Sequence, residues 1–266
     1  MSGQIRVEQT EAALRLVIDR AKQANALTPE LAVGLREGLA RAAADPTVRA
    51  VLLTGAGDRV FCGGFDLGRV GRSAPTDDQT GLASLMEAVR SCPVPVIALL
   101  NGHAIGAGFE LACACDLLLA RVGARIGLPA VRLGVAYRLE GLAAVLGASP
   151  AAKRLLLTGE QIEIEQVPGL ADVIVAPAQL ETTAETWVQA IASSAPAALT
   201  YTLQAMRSLS CWTVGEQERK RLDALRRQIM AGGDVGEAVN ARREGRPPRF
   251  RPRDVDSSSE RSAEWD

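Results

Sequence analysis

Apolar residues follow two rhythms along this chain. Short, almost uniform apolar runs recur at 48–54, 94–100 and 117–120, 13–18 alternates loosely as a half-buried strand does, and between them lie segments whose apolar residues step every three or four positions. A uniform run reads as a strand buried on both faces, and a stepped segment as an amphipathic helix. Residues 5–9 form a further strand that turns into 13–18 at Thr10-Glu11, and 20–26 is a polar loop. Thr28-Pro29-Glu30 then opens a helix, with Thr28 as N-cap and Pro29 at the first helical position. Leu31, Leu35, Leu39, Ala42 and Ala43 step along it, and Asp45-Pro46 ends it. Strand, helix and strand make a βαβ unit with a right-handed crossover.

The alternation continues to about residue 178. It comprises a Gly-containing bend at 60–67, a polar loop at 68–80, a helix over 82–92, loop-like stretches at 125–129 and 134–137, and helices over 141–146 and 149–157. A short segment at 162–166 and a strand at 171–175 follow. From 180 onward only helices are predicted, over 180–193, 196–209, 213–231 and 236–244. The serine-rich, charged end of the chain has the composition of a disordered tail. The fold class is therefore α/β with a helical C-terminal region.

Composition narrows the function. Hydrophobic residues make up 47% of the 266, enough for a sizeable core, and a formal net charge of -1 argues against a nucleic-acid partner. No apolar run reaches membrane-spanning length and the first residues lack a signal-peptide core, so no membrane partner and a cytoplasmic location are expected. Five cysteines (Cys62, Cys92, Cys113, Cys115 and Cys211) make no zinc-type or disulfide framework. The single histidine, His103, rules out a multi-histidine metal site and reads as a structural residue, so no metal is expected.

Chemistry concentrates in 101–116, Asn-Gly-His-Ala-Ile-Gly-Ala-Gly-Phe-Glu-Leu-Ala-Cys-Ala-Cys-Asp. Its small residues let a ligand approach the main chain. A helix starting near Ala107 aims unpaired N–H groups and its positive end at that ligand. Glu110, in the first turn, is placed to act on the same ligand. Burial raises a carboxyl pKa, which suits Glu110 to general-acid work.

Phe61-Cys62-Gly63-Gly64-Phe65-Asp66-Leu67, taken together with 101–110, resembles the crotonase (enoyl-CoA hydratase/isomerase) superfamily over nearly the whole chain. The resemblance implies a spiral of ββα repeats over 1–195, a helical trimerisation region over 196–250 and the tail at 251–266. It implies an acyl-CoA substrate, no cofactor beyond the coenzyme A moiety, and a homotrimer or hexamer. Carried over by position, the N–H groups of Phe65 and Ala107 form an oxyanion hole. Glu110 is the acid/base residue, and Asn25, Ala26, Leu27, Phe61, Cys62 and Gly63 hold coenzyme A. Asp66 reads as a residue that holds its turn. The second glutamate of typical hydratases falls on Ala130. The run from Leu133 to Leu142 resembles the methylmalonyl-CoA decarboxylase branch, in which Tyr137 matches a pocket tyrosine, although that branch has a histidine where Phe65 stands. Glu140 is a candidate substitute for the lost carboxylate, and the basic stretch 219–227 reads as a solvated helix face. Hydration or isomerisation of an enoyl-CoA is the leading expectation. The alternatives are decarboxylation of a short malonyl-type CoA and non-catalytic acyl-CoA binding.

Overall fold

The computed structural model describes residues 3–66, 81–209, 215–231 and 233–250. The loop expected at 68–80, Cys211 and the tail expected at 251–266 lie outside the described residues. In chain order the first half contains β1 (Gln4–Gln9), β2 (Ala13–Asp19), α1 (Pro29–Ala44), β3 (Ala50–Gly55), β4 (Val60–Cys62), α2 (Leu82–Ser91), β5 (Val96–Leu100), β6 (His103–Ile105), α3 (Ala107–Ala114), β7 (Leu117–Arg121) and β8 (Arg125–Gly127). The second half contains α4 (Leu139–Ala148), α5 (Lys153–Thr158), β9 (Gln161–Glu163), β10 (Val173–Val175), α6 (Leu180–Ala192), α7 (Pro196–Leu209), α8 (Glu216–Ala231) and α9 (Asp234–Arg243).

Two sheets run side by side. The larger has the order β1-β2-β3-β5-β7-β10, parallel except for β1, and the smaller has the order β4-β6-β8-β9, parallel except for β9. The chain feeds them in turn: β3 then β4, β5 then β6, β7 then β8. Each circuit adds one strand to each sheet, which is a spiral of ββα turns.

Period-two alternation explains the uniform apolar runs. Leu14, Leu16, Ile18, Val51, Leu53, Val96, Ala98, Leu100, Leu118 and Ala120 face the main core. Their neighbours Ala13, Ala50, Leu52, Ile97, Leu99 and Leu119 face the other way, where Leu180, Ala184 and Val188 of α6 cover them. Both faces are therefore dry, as expected of parallel strands. Thr28 Oγ1 accepts from Leu31 N at 3.3 Å, so the expected N-cap of α1 is in place.

Three stretches differ from the pattern reading, the first being 60–62, which lies in the stretch read as a Gly-containing bend and is strand β4. Residues 103–105, for which no strand was expected, are strand β6, and 125–129, read as loop, contain β8 before a 3₁₀ segment at Pro129–Leu133. Three-residue strands are too short to display alternation, and pairing in the small sheet defines them. A 3₁₀ turn at Ala21–Gln23 also interrupts the expected loop at 20–26.

The C-terminal helices bury few apolar residues and are also tied down by ion pairs and hydrogen bonds. In α7, Arg207 makes a two-pronged pair with Asp116, at 2.8 and 2.7 Å, and Asp116 also accepts from Val96 N at 2.8 Å. The α8 side chains Arg226 and Met230 grip the 134–137 loop: Arg226 Nε donates to Ala136 O at 3.2 Å, and Ala136 N–H donates to Met230 Sδ at 3.3 Å. Removing one partner of a largely buried pair strands the other charge, so Arg207→Ala is expected to cost about 3 kcal/mol of stability. A lower urea midpoint would record it, and an unchanged midpoint would mean that α7 is held by other contacts.

Candidate active site

β4 and β6 are parallel neighbours, Val60 opposite His103 and Cys62 opposite Ala104. Both turns that follow them therefore leave the sheet at the same end. They touch: a Cβ built on Gly64, whose φ is 105°, would lie 3.0 Å from Ile105 O and 3.7 Å from Ala107 N. The positive φ and this close approach both require glycine at 64. Gly108 brings α3 down onto β4, since a Cβ there would fall 2.3 Å from Cys62 O.

This contact sets the direction of two N–H groups. Phe65 bridges Leu27 through its neighbours: Leu27 N–H donates to Gly64 O at 2.7 Å and Asp66 N–H donates to Leu27 O at 2.8 Å. In a parallel bridge of that form, the N–H of Phe65 itself points to the opposite side. Ala107 is the first residue of α3, so its N–H has no acceptor one turn back. Arg20 steadies the first turn through a 2.6 Å ion pair with Asp66. Asp66 thus ties the turn to Arg20 through its carboxylate and to Leu27 O through its own N–H.

Glu110 lies one turn into α3 and is only 8% exposed. Its carboxyl rests on the bare Cα of Gly141 in α4; a Cβ there would fall 1.6 Å from Glu110 Oε2. Burial pushes the Glu110 pKa up to about 8, and the charge of Arg226 works against that rise. Tyr137 stands beside it. Burial first and the Glu110 charge second raise the tyrosine pKa, while its hydroxyl oxygen accepts from Ala130 N–H at 3.3 Å. The position where typical hydratases have a second glutamate is thus a buried alanine whose N–H faces a tyrosine. Glu140 does not replace that glutamate, because it is paired with Arg138 at 3.3 Å and Arg219 at 2.9 Å. Burial works to raise its pKa, but its backbone hydrogen bond and these two arginines prevail and hold it below the ordinary range.

The chain matches the model of the enoyl-CoA hydratase/isomerase family over residues 8–253. It belongs to that family. Among its relatives, an (E)-benzylidenesuccinyl-CoA hydratase of Thauera aromatica is 34% identical over 210 residues, 76% of this chain and 81% of that protein. A carnitinyl-CoA dehydratase of Proteus mirabilis is 32% identical over 223 residues, 81% and 85% of the two chains. Among solved structures, an enoyl-CoA hydratase/isomerase from Pseudoalteromonas atlantica superposes with a TM-score of 0.80 at 26% identity, over 93% of this chain and 100% of that one. A methylmalonyl-CoA decarboxylase superposes at 0.85 with 24% identity, over 94% and 99%, a likeness of fold alone.

As an enoyl-CoA hydratase/isomerase family member, the chain brings Phe65, Ala107, Glu110 and Tyr137 to one end of the small sheet. The segment assigned to coenzyme A is arranged differently from a set of ligand-facing side chains. Asn25, Leu27, Phe61 and Cys62 are fully buried. The Asn25 amide donates to Ala56 O at 3.0 Å and Val60 O at 2.6 Å and accepts from Arg20 N at 3.0 Å, so this side chain knits the fold. Ala26 and Gly63 are half-buried at the surface of that segment. His103 is structural, its Nδ1 accepting from Arg125 N at 3.0 Å. Sequence reasoning missed Arg226 and Gly141. The signal for Arg226 was present: Leu222, Arg226 and Met230 recur every four residues, and these three and Asp223 are the half-buried positions of a helix whose other residues are exposed.

A buried carboxyl with a raised pKa weakens the fold as pH rises. The Glu110 contribution is fully present below the ordinary value of 4.5 and is lost progressively up to about 8. Glu110→Gln, which cannot ionise, is therefore expected to raise Tm relative to the wild type, little at pH 5 and most above pH 8. Parallel melting curves across that range check it, and a pH-independent difference would contradict it.

Proposed function

We propose that the protein forms the enolate of an acyl-CoA thioester, with the thioester oxygen between the N–H groups of Phe65 and Ala107 and with Glu110 as the proton carrier. The observation that carries this reading is one buried carboxyl on the helix that Ala107 opens, beside the turn of Phe65, with no second carboxylate at Ala130. Two fixed donors in a dry site stabilise developing negative charge because they need no reorganisation, and losing one typically costs about 3 kcal/mol of barrier. A single carboxyl best supports double-bond migration. Ionised Glu110 takes a proton from the carbon next to the thioester, the electron pair moves onto the thioester oxygen, and the same carboxyl returns the proton two carbons further on. A pKa near 8 makes the carboxylate a stronger base than an exposed glutamate. Water addition, the activity named for several relatives, would need Glu110 and Tyr137 to share the work of two glutamates.

Coenzyme A would lie along 25–27 and 61–63, met at Ala26 and Gly63 and by main chain rather than by the buried side chains of Asn25, Leu27, Phe61 and Cys62. Assembly as a trimer or hexamer would use the helical region, where Tyr201 is 74% and Leu209 88% exposed. Decarboxylation of a malonyl-type CoA is a second reading, favoured by the same lack of a second carboxylate, because carbon–carbon cleavage needs the enolate stabilised but no base.

A mass-spectrometric screen with crotonyl-CoA, a 3-enoyl-CoA and methylmalonyl-CoA separates these readings. Double-bond migration that falls at least about a hundredfold in Glu110→Gln is expected. Carbon dioxide release that survives in the variant would establish decarboxylation instead, and bound but unchanged esters would establish a binding protein. The kcat/KM for migration should rise with pH to a plateau above about 8. In Arg226→Gln that rise should move to higher pH, because the arginine charge favours the carboxylate; an unmoved profile would remove Glu110 from the rate-determining step.

A further inference from the structure

β1 is an edge strand of the larger sheet, bonded to β2 on one side and, among the described residues, to no strand on the other. It is long for an edge, six residues against three for β10 at the opposite end of that sheet. Natural edges are kept short, bulged or covered, because an open row of main-chain donors and acceptors is a template for another strand. β1 holds no proline, and its register with β2 runs without a shift from Gln4 to Gln9.

The hydrogen bonds of the hairpin fix which groups face outward. Thr10 N–H donates to Ala13 O at 2.9 Å, so these two are a bonded pair. Alternation then makes Glu8 with Arg15, Arg6 with Val17 and Gln4 with Asp19 the bonded pairs beyond it. The other side of β2 agrees. Ala12 O accepts from Arg49 N–H at 2.8 Å and Ile18 O from Ala56 N–H at 2.9 Å, which leaves Arg15, Val17 and Asp19 for β1. The N–H and C=O groups of Ile5, Val7 and Gln9 therefore point to the open edge.

This edge is complementary to itself. An antiparallel copy turned about a two-fold axis at Val7 sets Val7 against the partner's Val7 and Ile5 against the partner's Gln9, and each such pair exchanges both main-chain bonds. Between them fall the closer, non-bonded pairs, in which Arg6 meets the partner's Glu8 and Glu8 meets the partner's Arg6. Opposite charges so placed stabilise a strand pair, and like charges destabilise it. On the other face, Ile5 and Val7 border an open groove of about 340 Å³ against α1, lined also by Gly34, Glu37, Gly38 and Arg41. Val7 is 38% exposed. Cross-strand neighbours share a face, so the partner's Val7 continues this apolar row.

We propose that β1 is an interface between two copies of this chain, joined antiparallel about a two-fold axis at Val7 into one continuous sheet. The proposal is independent of the acyl-CoA reading and of the helical region assigned to trimer or hexamer assembly. A two-fold interface uses one patch twice, and the order Arg6-Val7-Glu8 meets that condition.

The mass of the full chain by sedimentation equilibrium tests it. The wild type is expected to be an even-numbered assembly. Arg6→Glu and Glu8→Arg are each expected to reduce its mass to about half, because each sets like charges opposite one another across the axis. The two substitutions together exchange the charges and should restore the wild-type mass. Val7→Pro, which deletes an outward N–H and no bond to β2, should also give about half the mass. Circular dichroism confirms that each variant is folded. A monomeric or odd-numbered wild type would overturn the proposal. So would a mass unchanged in Val7→Pro and in both single charge variants, which would leave the edge to a strand of another protein. Half the mass in the single charge variants without recovery in the combined one would contradict the register about Val7.

Discussion

The contact on which the site depends is a carboxyl group set against a bare Cα. Glu110 reaches Gly141 because position 141 has no side chain to displace it. That packing takes the carboxyl out of water and raises its pKa to about 8. The same logic recurs below it. Gly108 lets α3 sit on Cys62 O, and Gly64 lets the two turns meet. Three absent side chains thus bring a helix start, a strand end and a second helix within reach of one another. Around that arrangement charge is managed from a distance, with Arg226 drawing the Glu110 pKa down while burial drives it up.

The spiral frame makes this possible. Parallel strands end on the same side, so turns after β4 and β6 are neighbours although they are far apart in sequence. The larger sheet, apolar on both faces, anchors them. Helix α6 seals one face and the main core the other. The later helices play a different part. α8 buries no residue fully, yet it delivers Arg226 to the site and holds the 134–137 loop. A side chain whose charge acts on Glu110 thus comes from a helix whose own packing is thin.

Much of this was legible in the chain. Uniform apolar runs located the long strands, because both faces of the large sheet are dry. Thr28-Pro29 marked the start of α1 through capping chemistry, and Gly106-Ala107-Gly108 marked the start of α3. What escaped notice was non-local. β6 and β8 are three residues each and exist through pairing, which no short pattern reports. Asn25 looked like a ligand residue, yet its amide satisfies main-chain groups near residues 56 and 60. Glu140 resembled a spare carboxylate until its arginine partners, one of them on α8, were in view. Arg226 was hidden inside a basic stretch that reads as solvated, although its spacing with Leu222 and Met230 marks the inward face.

The most direct test of this account is the titration of Glu110 itself. Carboxyl ¹³C resonances of the glutamate-labelled protein, assigned by comparison with Glu110→Gln, would be followed from pH 4 to pH 10. The account predicts a midpoint near 8 for this one group. A midpoint near the ordinary 4.5 would mean that the carboxyl is hydrated in solution, and the dry, proton-carrying site described here would not exist.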